Sequence, residues 1–159
     1  MSPRGAGLGS FTMPAYVLPV ATLLLSGAFG LLYRRRNGRT HAVASDALTQ
    51  DDLDALGIDT LGSRATLVQF SSAFCAPCRA TRRILTDVAS VVDGVTYAEV
   101  DAEAHLDTVR RFHVLRTPTV LVLDARGSVV VRASGQPRKV DVLAAVGKAV
   151  ERDAVGSSR

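Results

Sequence analysis

The chain has 159 residues, of which 19 are Lys or Arg and 15 are Asp or Glu, and it contains only two cysteines. The length suits one ordinary domain with an appendage, the 47% hydrophobic content excludes a disordered polymer, and two cysteines are too few for a disulfide-rich secreted scaffold. Residues 1–40 carry five arginines and no acid, whereas the rest of the chain carries 14 basic and 15 acidic side chains. The net charge of +4 therefore belongs to a short N-terminal segment and does not indicate a nucleic-acid partner.

The N-terminal segment 14–33 is 20 residues long and contains no charged side chain. As a helix it would extend about 30 Å, which matches the hydrocarbon core of a bilayer. Tyr16 and Tyr33 lie near its two ends, where amphipathic rings favour the membrane interface. The segment therefore predicts a transmembrane helix over 14–33, preceded by an N-terminal tail over 1–13.

Three arginines at positions 34–36 follow this segment at once. Such a stop-transfer pattern favours a retained membrane anchor over a cleaved signal peptide or a buried core helix. The positive-inside rule then predicts that the following domain lies on the cytoplasmic side, with the extracytoplasmic face as the alternative. Residues 34–46 are predicted to be a basic stop-transfer segment and linker, within which 41–44 could form a short edge strand.

From residue 47 onward, the hydrophobic pattern alternates between the periods of helices and of strands. Thr49 suits the N-cap of a first helix, with Asp52 in its first turn and Gly57 at its end. The further predicted elements are strand 65–70, helix 75–92, strand 95–100, helix 102–112, strand 119–123, a turn over 124–127 with Gly127 at positive φ, strand 128–132, and helix 138–151 with Val140, Leu143, Ala144 and Val150 facing inward. This order predicts an α/β domain over 47–152, with a mixed central sheet flanked by helices on both faces and a flexible tail over 153–159.

The two cysteines, Cys75 and Cys78, follow a predicted strand and open a predicted helix. A spacing of three residues in the first helical turn places both sulfurs on one side, so that they can form a disulfide with little movement of the chain. The helix N-terminus supplies free N–H groups and positive potential, which stabilise a thiolate. Cys75, at the very end, is the expected nucleophile and Cys78 the expected resolving thiol. Pro77 stiffens the turn without the loss of a needed N–H group.

A purely structural role or a zinc-binding role suits this cysteine pair less well. A structural disulfide across so small a loop would constrain little of the unfolded chain. A zinc site needs four ligands, and His105 and His113 are surrounded by apolar and arginine residues, so that no metal site is predicted. A pair with this spacing at a strand-to-helix junction within a βαβ pattern is typical of a redox site.

Residues 65–150 resemble the thioredoxin family in length, element order and motifs. The redox motif of the family is matched by Phe74, Cys75, Ala76, Pro77 and Cys78, and its cis-proline by Pro118 after Thr117. The resemblance implies a thiol–disulfide oxidoreductase without an organic cofactor, in which Cys75 attacks a substrate disulfide and Cys78 releases the product. Pro118, in cis, would face the sulfurs and present its neighbouring backbone to the substrate. The implied partners are protein thiols and disulfides, together with a thiol reductase or a membrane electron donor.

Five positions depart from the family pattern, one of them Ser71, which stands where the family has a further tryptophan. Gln69 stands where the family has a buried aspartate, and Glu99 stands where it usually has a lysine. An amide cannot accept a proton from Cys78, so either water or Glu99 would take that task, or the exchange would be slower. Phe74 replaces a tryptophan and Ala76 replaces a glycine, which implies a different substrate preference and redox potential.

Together, these features predict a membrane-anchored, thioredoxin-like protein-disulfide oxidoreductase. Two alternatives remain open at this point: a thioredoxin-fold binding or scaffold module with no turnover, and a cysteine pair that handles a metal ion.

Overall fold

The computed structural model describes residues 17–36, 40–42 and 47–156. The chain divides into two compact units, Met1–Arg34 and Arg35–Arg159, and the sheet lies in the second. The helices are α1 (Val17–Arg36), α2 (Gln50–Ala55), α3 (Ala76–Val91), α4 (Leu106–Arg111) and α5 (Lys139–Gly156), and the strands are β1 (Thr40–Ala42), β2 (Ala65–Ser71), β3 (Val95–Asp101), β4 (Thr119–Asp124) and β5 (Val129–Ser134).

Helix α1 corrects the expectation of a transmembrane helix over 14–33. Among the described residues, no helix combines the length and the apolar character needed to cross a membrane. The predicted single-pass membrane localisation is therefore wrong, and the bilayer contact predicted for 14–33 loses its basis. The helix begins at Val17, and three arginines occupy its last positions. Its apolar part is interrupted by Pro19 and Thr22, whose hydroxyl donates to the Pro19 carbonyl over 3.0 Å, while 14–16 lie outside the described residues.

The five described strands form one mixed sheet in the order β1-β5-β4-β2-β3. Strands β2 and β3 are parallel, whereas β2 with β4, β4 with β5, and β1 with β5 are antiparallel. Every residue of β2 and of β4 is buried. Both strands are central and covered on two sides, which explains why apolar residues occur on both faces of each strand rather than on one face only. The mixed sheet predicted from the element order is confirmed.

Helices cover both faces of this sheet, also as predicted. Successive strand side chains point to opposite faces, so Leu67 and Val68 belong to different hydrophobic clusters although both are fully buried. The Leu67 face packs against α3 and α5, through residues such as Leu85 and Val146. The Val68 face packs against α2 and the segment around α4, through residues such as Leu53. Each fully buried aliphatic side chain contributes about 1.5–3 kcal/mol.

Helix α2 begins as the sequence predicts. Thr49 is its N-cap and forms a capping box with Asp52, in which the Thr49 hydroxyl accepts from the Asp52 N–H and the Asp52 carboxylate accepts from the Thr49 N–H over 2.7 Å. Arg111 forms an ion pair with the same carboxylate. Burial raises the pKa of Asp52, but the hydrogen bonds from Thr49 and the charge of Arg111 outweigh it and hold the pKa below its usual value. The turn before β5 also forms as predicted, with Gly127 at φ 81°.

Besides α1, two helices differ from their predicted bounds by more than one residue. Helix α4 starts at Leu106 rather than 102, because the Ala102 N–H continues the strand pairing to the Ser71 carbonyl (2.8 Å) and the Asp101 carboxylate accepts the Glu103 N–H (2.9 Å). Helix α5 continues to Gly156, beyond the predicted end at 151. Its buried stripe consists of Val142, Ala145, Val146 and Ala149. Of the residues predicted to face inward, Val140, Leu143 and Ala144 are exposed and Val150 is partly buried, because two adjacent stripes of this helix are similarly apolar.

Candidate active site

The two cysteines lie where β2 passes into α3. Cys75 is the N-cap of α3 and has extended backbone angles, whereas Cys78 lies in the first turn of this 16-residue helix. Their sulfurs form a disulfide of 2.03 Å, with the Cα atoms 5.2 Å apart. Pro77 occupies one of the first two helical positions, where the missing N–H group would have had no intrahelical partner.

The two sulfurs have different surroundings. Cys75 is partly exposed, whereas Cys78 is buried, with 2% of its surface accessible. The Cys78 N–H group donates to the Cys75 sulfur over 3.1 Å. Because a helix N-terminus and a directed N–H group both favour negative charge, the position of Cys75 stabilises a thiolate.

Behind the disulfide, a chain of hydrogen bonds connects α3 to β2 and β3. The Gln69 side-chain amide, fully buried, donates to the Cys78 carbonyl over 3.0 Å. The Tyr97 hydroxyl donates to the Gln69 side-chain oxygen over 3.1 Å. Burial, and then the charge of Glu99, raise the pKa of Tyr97 to about 12, so this hydroxyl remains a donor near neutral pH. Sequence reasoning identified Gln69 but missed Tyr97, because its contact depends on the register of two strands.

A groove opens on the side of the disulfide that faces β3. Its volume is about 390 Å³. The residues lining it are Ser71, Ser72, Ala73, Cys75, Cys78, Arg79, Arg82, Glu99 and Asp101. Within it, Arg82 of α3 pairs with Glu99 of β3 over 2.7 Å. The interaction with Glu99 raises the pKa of Arg82, which keeps this guanidinium positively charged.

The Thr117–Pro118 peptide bond is cis, as the resemblance implied. The Thr117 hydroxyl lies 3.0 Å from the Ser72 hydroxyl, and the Ser72 carbonyl accepts the Cys75 N–H over 3.3 Å. Ser72 thus joins the proline loop to the cysteine loop, a role that sequence reasoning did not identify. The Pro118 carbonyl is bound by the Gly135 N–H over 2.7 Å.

The predicted site residues therefore gather at one end of the sheet. Phe74 is 99% exposed, and Ala76 and Pro77 are exposed beside it. Leu115, which precedes the proline loop, is 93% exposed. Large apolar side chains that face solvent suit contact with another macromolecule.

The comparisons with known proteins agree on one family. The family model described as Thioredoxin matches residues 48–148. The chain is 34% identical over 94 residues to a thioredoxin of Mycolicibacterium smegmatis, which covers 57% of this chain and 83% of that protein. It is 28% identical over 79 residues to a thioredoxin of Alicyclobacillus acidocaldarius, which covers 49% of this chain and 75% of that protein.

Two solved structures share the fold. Thioredoxin from Fasciola hepatica gives a TM-score of 0.50 at 24% identity, covering 61% of this chain and 90% of that chain. A variant thioredoxin from Halobacterium salinarum gives a TM-score of 0.53 at 16% identity, covering 65% and 88%. The family match, together with a cysteine pair in disulfide geometry at the start of α3, leads to one conclusion: the chain belongs to the thioredoxin family and is a thiol–disulfide oxidoreductase.

Proposed function

We propose that this oxidoreductase exchanges disulfides with protein substrates, with Cys75 as the nucleophile and Cys78 as the resolving thiol. The observation that carries this assignment is the asymmetry of the pair. Cys75 is accessible and accepts a hydrogen bond from the Cys78 N–H, whereas Cys78 is buried behind it. Only the outer sulfur can meet a sulfur of a folded substrate.

In the reducing direction, the Cys75 thiolate attacks one sulfur of the substrate disulfide. A Cys75–substrate disulfide forms, the substrate S–S bond breaks, and one substrate thiolate leaves. Cys78 then loses its proton and attacks the Cys75 sulfur, which releases the second substrate thiolate and closes the Cys75–Cys78 bond. The substrate gains two electrons and the enzyme loses two. A thiol reductase or another dithiol donor must restore the reduced pair.

On this proposal, residues around the cysteine pair bind the substrate. Thr117, which precedes the cis-proline, presents backbone groups that an extended substrate segment can pair with in a strand-like manner. Phe74 supplies an apolar side chain at the rim. Ala76, exposed between the cysteines, adds only a methyl group beside Cys75. The extent of the catalytic domain, 47–152, remains a prediction.

Insulin reduction in the presence of dithiothreitol tests this function with the full chain. We expect turnover by the unmodified protein and none by Cys75→Ser or Cys78→Ser. The two variants are matched controls for each other: when each is reduced, freed of dithiothreitol and mixed with the substrate, Cys78→Ser is expected to accumulate a mixed disulfide, whereas Cys75→Ser is not. Absence of turnover by the unmodified protein would favour a binding module. Stoichiometric zinc or copper on the purified chain would favour metal handling.

A further inference from the structure

The resolving step needs an acceptor for the Cys78 proton, and the buried neighbour of Cys78 does not provide one. Gln69 is neutral, its amide nitrogen already donates to the Cys78 carbonyl, and its oxygen already accepts from Tyr97. Tyr97 itself stays protonated near neutral pH, since its pKa is raised to about 12. Neither side chain can take a proton from a thiol.

Glu99 lies on the same side of the sheet as this network. It is paired in register with Gln69 across the parallel strands β2 and β3, so that the two side chains point to the same face. Its contact with Arg82 confirms that this face is the one covered by α3. Arg82 follows Cys78 by four residues, which places the two side chains on one face of the helix. Cys78, Arg82 and Glu99 consequently line one groove.

The Glu99 carboxylate is held by an ion pair and remains partly accessible to solvent. Its side chain is 24% exposed, and the Arg82 guanidinium donates to it over 2.7 Å. The titratable and charged groups that face it are Arg79 and Arg82 from α3, Cys78 from the same helix, and Tyr97 and Asp101 from its own strand. From β2, the facing residues Gln69 and Ser71 are neutral.

We infer that Glu99 is the general base of the resolving step, with Arg82 as the residue that positions it. This inference rests on the proposed function. Acting through one water molecule in the groove, the carboxylate takes the Cys78 proton as the Cys78 sulfur attacks the Cys75 sulfur. The S–S bond to the substrate breaks, and the proton passes from Glu99 to the departing substrate thiolate. The carboxylate is therefore regenerated in each turnover.

Asp101 is the other carboxylate in the groove, but its geometry suits the role less well. One of its oxygens already accepts the Glu103 N–H group over 2.9 Å. This bond belongs to the turn between β3 and α4. Glu99, by contrast, is held by a side chain of the same helix that carries Cys78.

The two chemical steps can be separated with 5,5′-dithiobis(2-nitrobenzoate) and the reduced full chain. The chain has only two cysteines, so attack by Cys75 releases the first thionitrobenzoate in a second-order phase. Closure by Cys78 releases the second in a phase independent of reagent concentration. Both phases would be followed by thionitrobenzoate absorbance from acidic to mildly alkaline pH for the unmodified chain, Glu99→Gln, Glu99→Asp and Asp101→Asn. Asp107→Asn, which changes an exposed carboxylate on α4, controls for net charge.

We expect Glu99→Gln to slow the closure phase by at least about tenfold near neutral pH. The substitution should also abolish the acidic limb of this phase, that is, the decrease of its rate constant toward acidic pH. The second-order phase should be unchanged. Glu99→Asp should restore the limb in part, and Asp107→Asn should match the unmodified chain. An unaltered closure phase in Glu99→Gln, equal slowing of both phases, or loss of the limb in Asp101→Asn instead would overturn the inference while leaving the proposed function intact. Absence of the first phase in the unmodified chain would overturn both.

Discussion

The buried side-chain amide of Gln69 donates a hydrogen bond to the backbone carbonyl of Cys78, which lies 3.0 Å away. This bond joins the centre of β2 to the first turn of α3. Because the Tyr97 hydroxyl in turn donates to Gln69, both polar ends of a fully buried side chain are satisfied, as stability requires. Gln69 therefore connects three elements directly behind the redox pair.

Gln69→Ala should destabilise the oxidised chain by about 1–3 kcal/mol, because it leaves the Cys78 carbonyl and the Tyr97 hydroxyl without these partners. Urea unfolding near neutral pH measures the change. Gln50→Ala is the matched control, since Gln50 is exposed and its side-chain amide donates to Asp54 on the surface; we expect it to stay within about 0.5 kcal/mol of the unmodified chain. Equal effects of the two substitutions would contradict the role given to Gln69.

Tyr97 should make the stability of the chain depend on pH in the alkaline range. Its folded pKa of about 12 lies above the ordinary value of 10.0. The stabilisation of the folded chain by the buried, protonated phenol is therefore complete below the ordinary pKa and is lost as the pH rises toward the folded pKa. The free energy of unfolding should fall more steeply over this window for the unmodified chain than for Tyr97→Phe. If the free energies of unfolding of the two proteins changed in parallel with pH, the raised pKa of Tyr97 would be contradicted.

Asp52 should make the stability of the chain depend on pH in the acidic range. Its folded pKa is lowered below the ordinary value of 3.8, so its stabilisation is present above that pH and is lost as the pH falls through the folded pKa. Asp52→Asn should cost about 1–2 kcal/mol near neutral pH, and the deficit should shrink in acid. Asp51→Asn, in the same helical turn but exposed, serves as the control, and unfolding curves from strongly acidic to neutral pH provide the comparison.

Phe74 should contribute to substrate binding rather than to stability. Its side chain is 99% exposed, so Phe74→Ala should leave the unfolding midpoint nearly unchanged. If the ring is half buried against a protein substrate, its loss costs about 1 kcal/mol, or roughly a fivefold rise in KM for insulin. Val91→Ala, which removes another exposed apolar side chain from the far end of α3, should not raise KM. A destabilised Phe74→Ala would instead indicate a structural role.

Features that depend on near neighbours in the sequence were predictable. Thr49 and Asp52 form the expected capping box, and Cys75 caps α3 because strand, cysteine and helix pattern adjoin in the chain. The parts that were missed depend on distant contacts. Tyr97 reaches Gln69 only because β2 and β3 pair in a particular register, and Ser72 meets Thr117 across 45 positions.

The phase of α5 and the character of α1 differ from what the sequence predicts, for a different physical reason. In α5, the stripe containing Val140 and Leu143 is about as apolar as the stripe containing Val142 and Val146. Only packing against the sheet selects between them, so the phase of the helix could not be read from periodicity. In α1, the absence of charge does not by itself make a membrane-spanning helix, because polar and small residues lower the apolar character of the segment.

Strand β1 has a consequence for the behaviour of the chain in solution. Thr40–Ala42 pairs with β5 and occupies the outer hydrogen-bonding edge of that strand. An open strand edge is a template for strand addition between molecules. A shortened chain that begins at residue 47 would retain both cysteines but leave this edge uncovered. We therefore expect it to self-associate more readily than the full chain, which sedimentation velocity would detect as a larger weight-average mass at equal concentration.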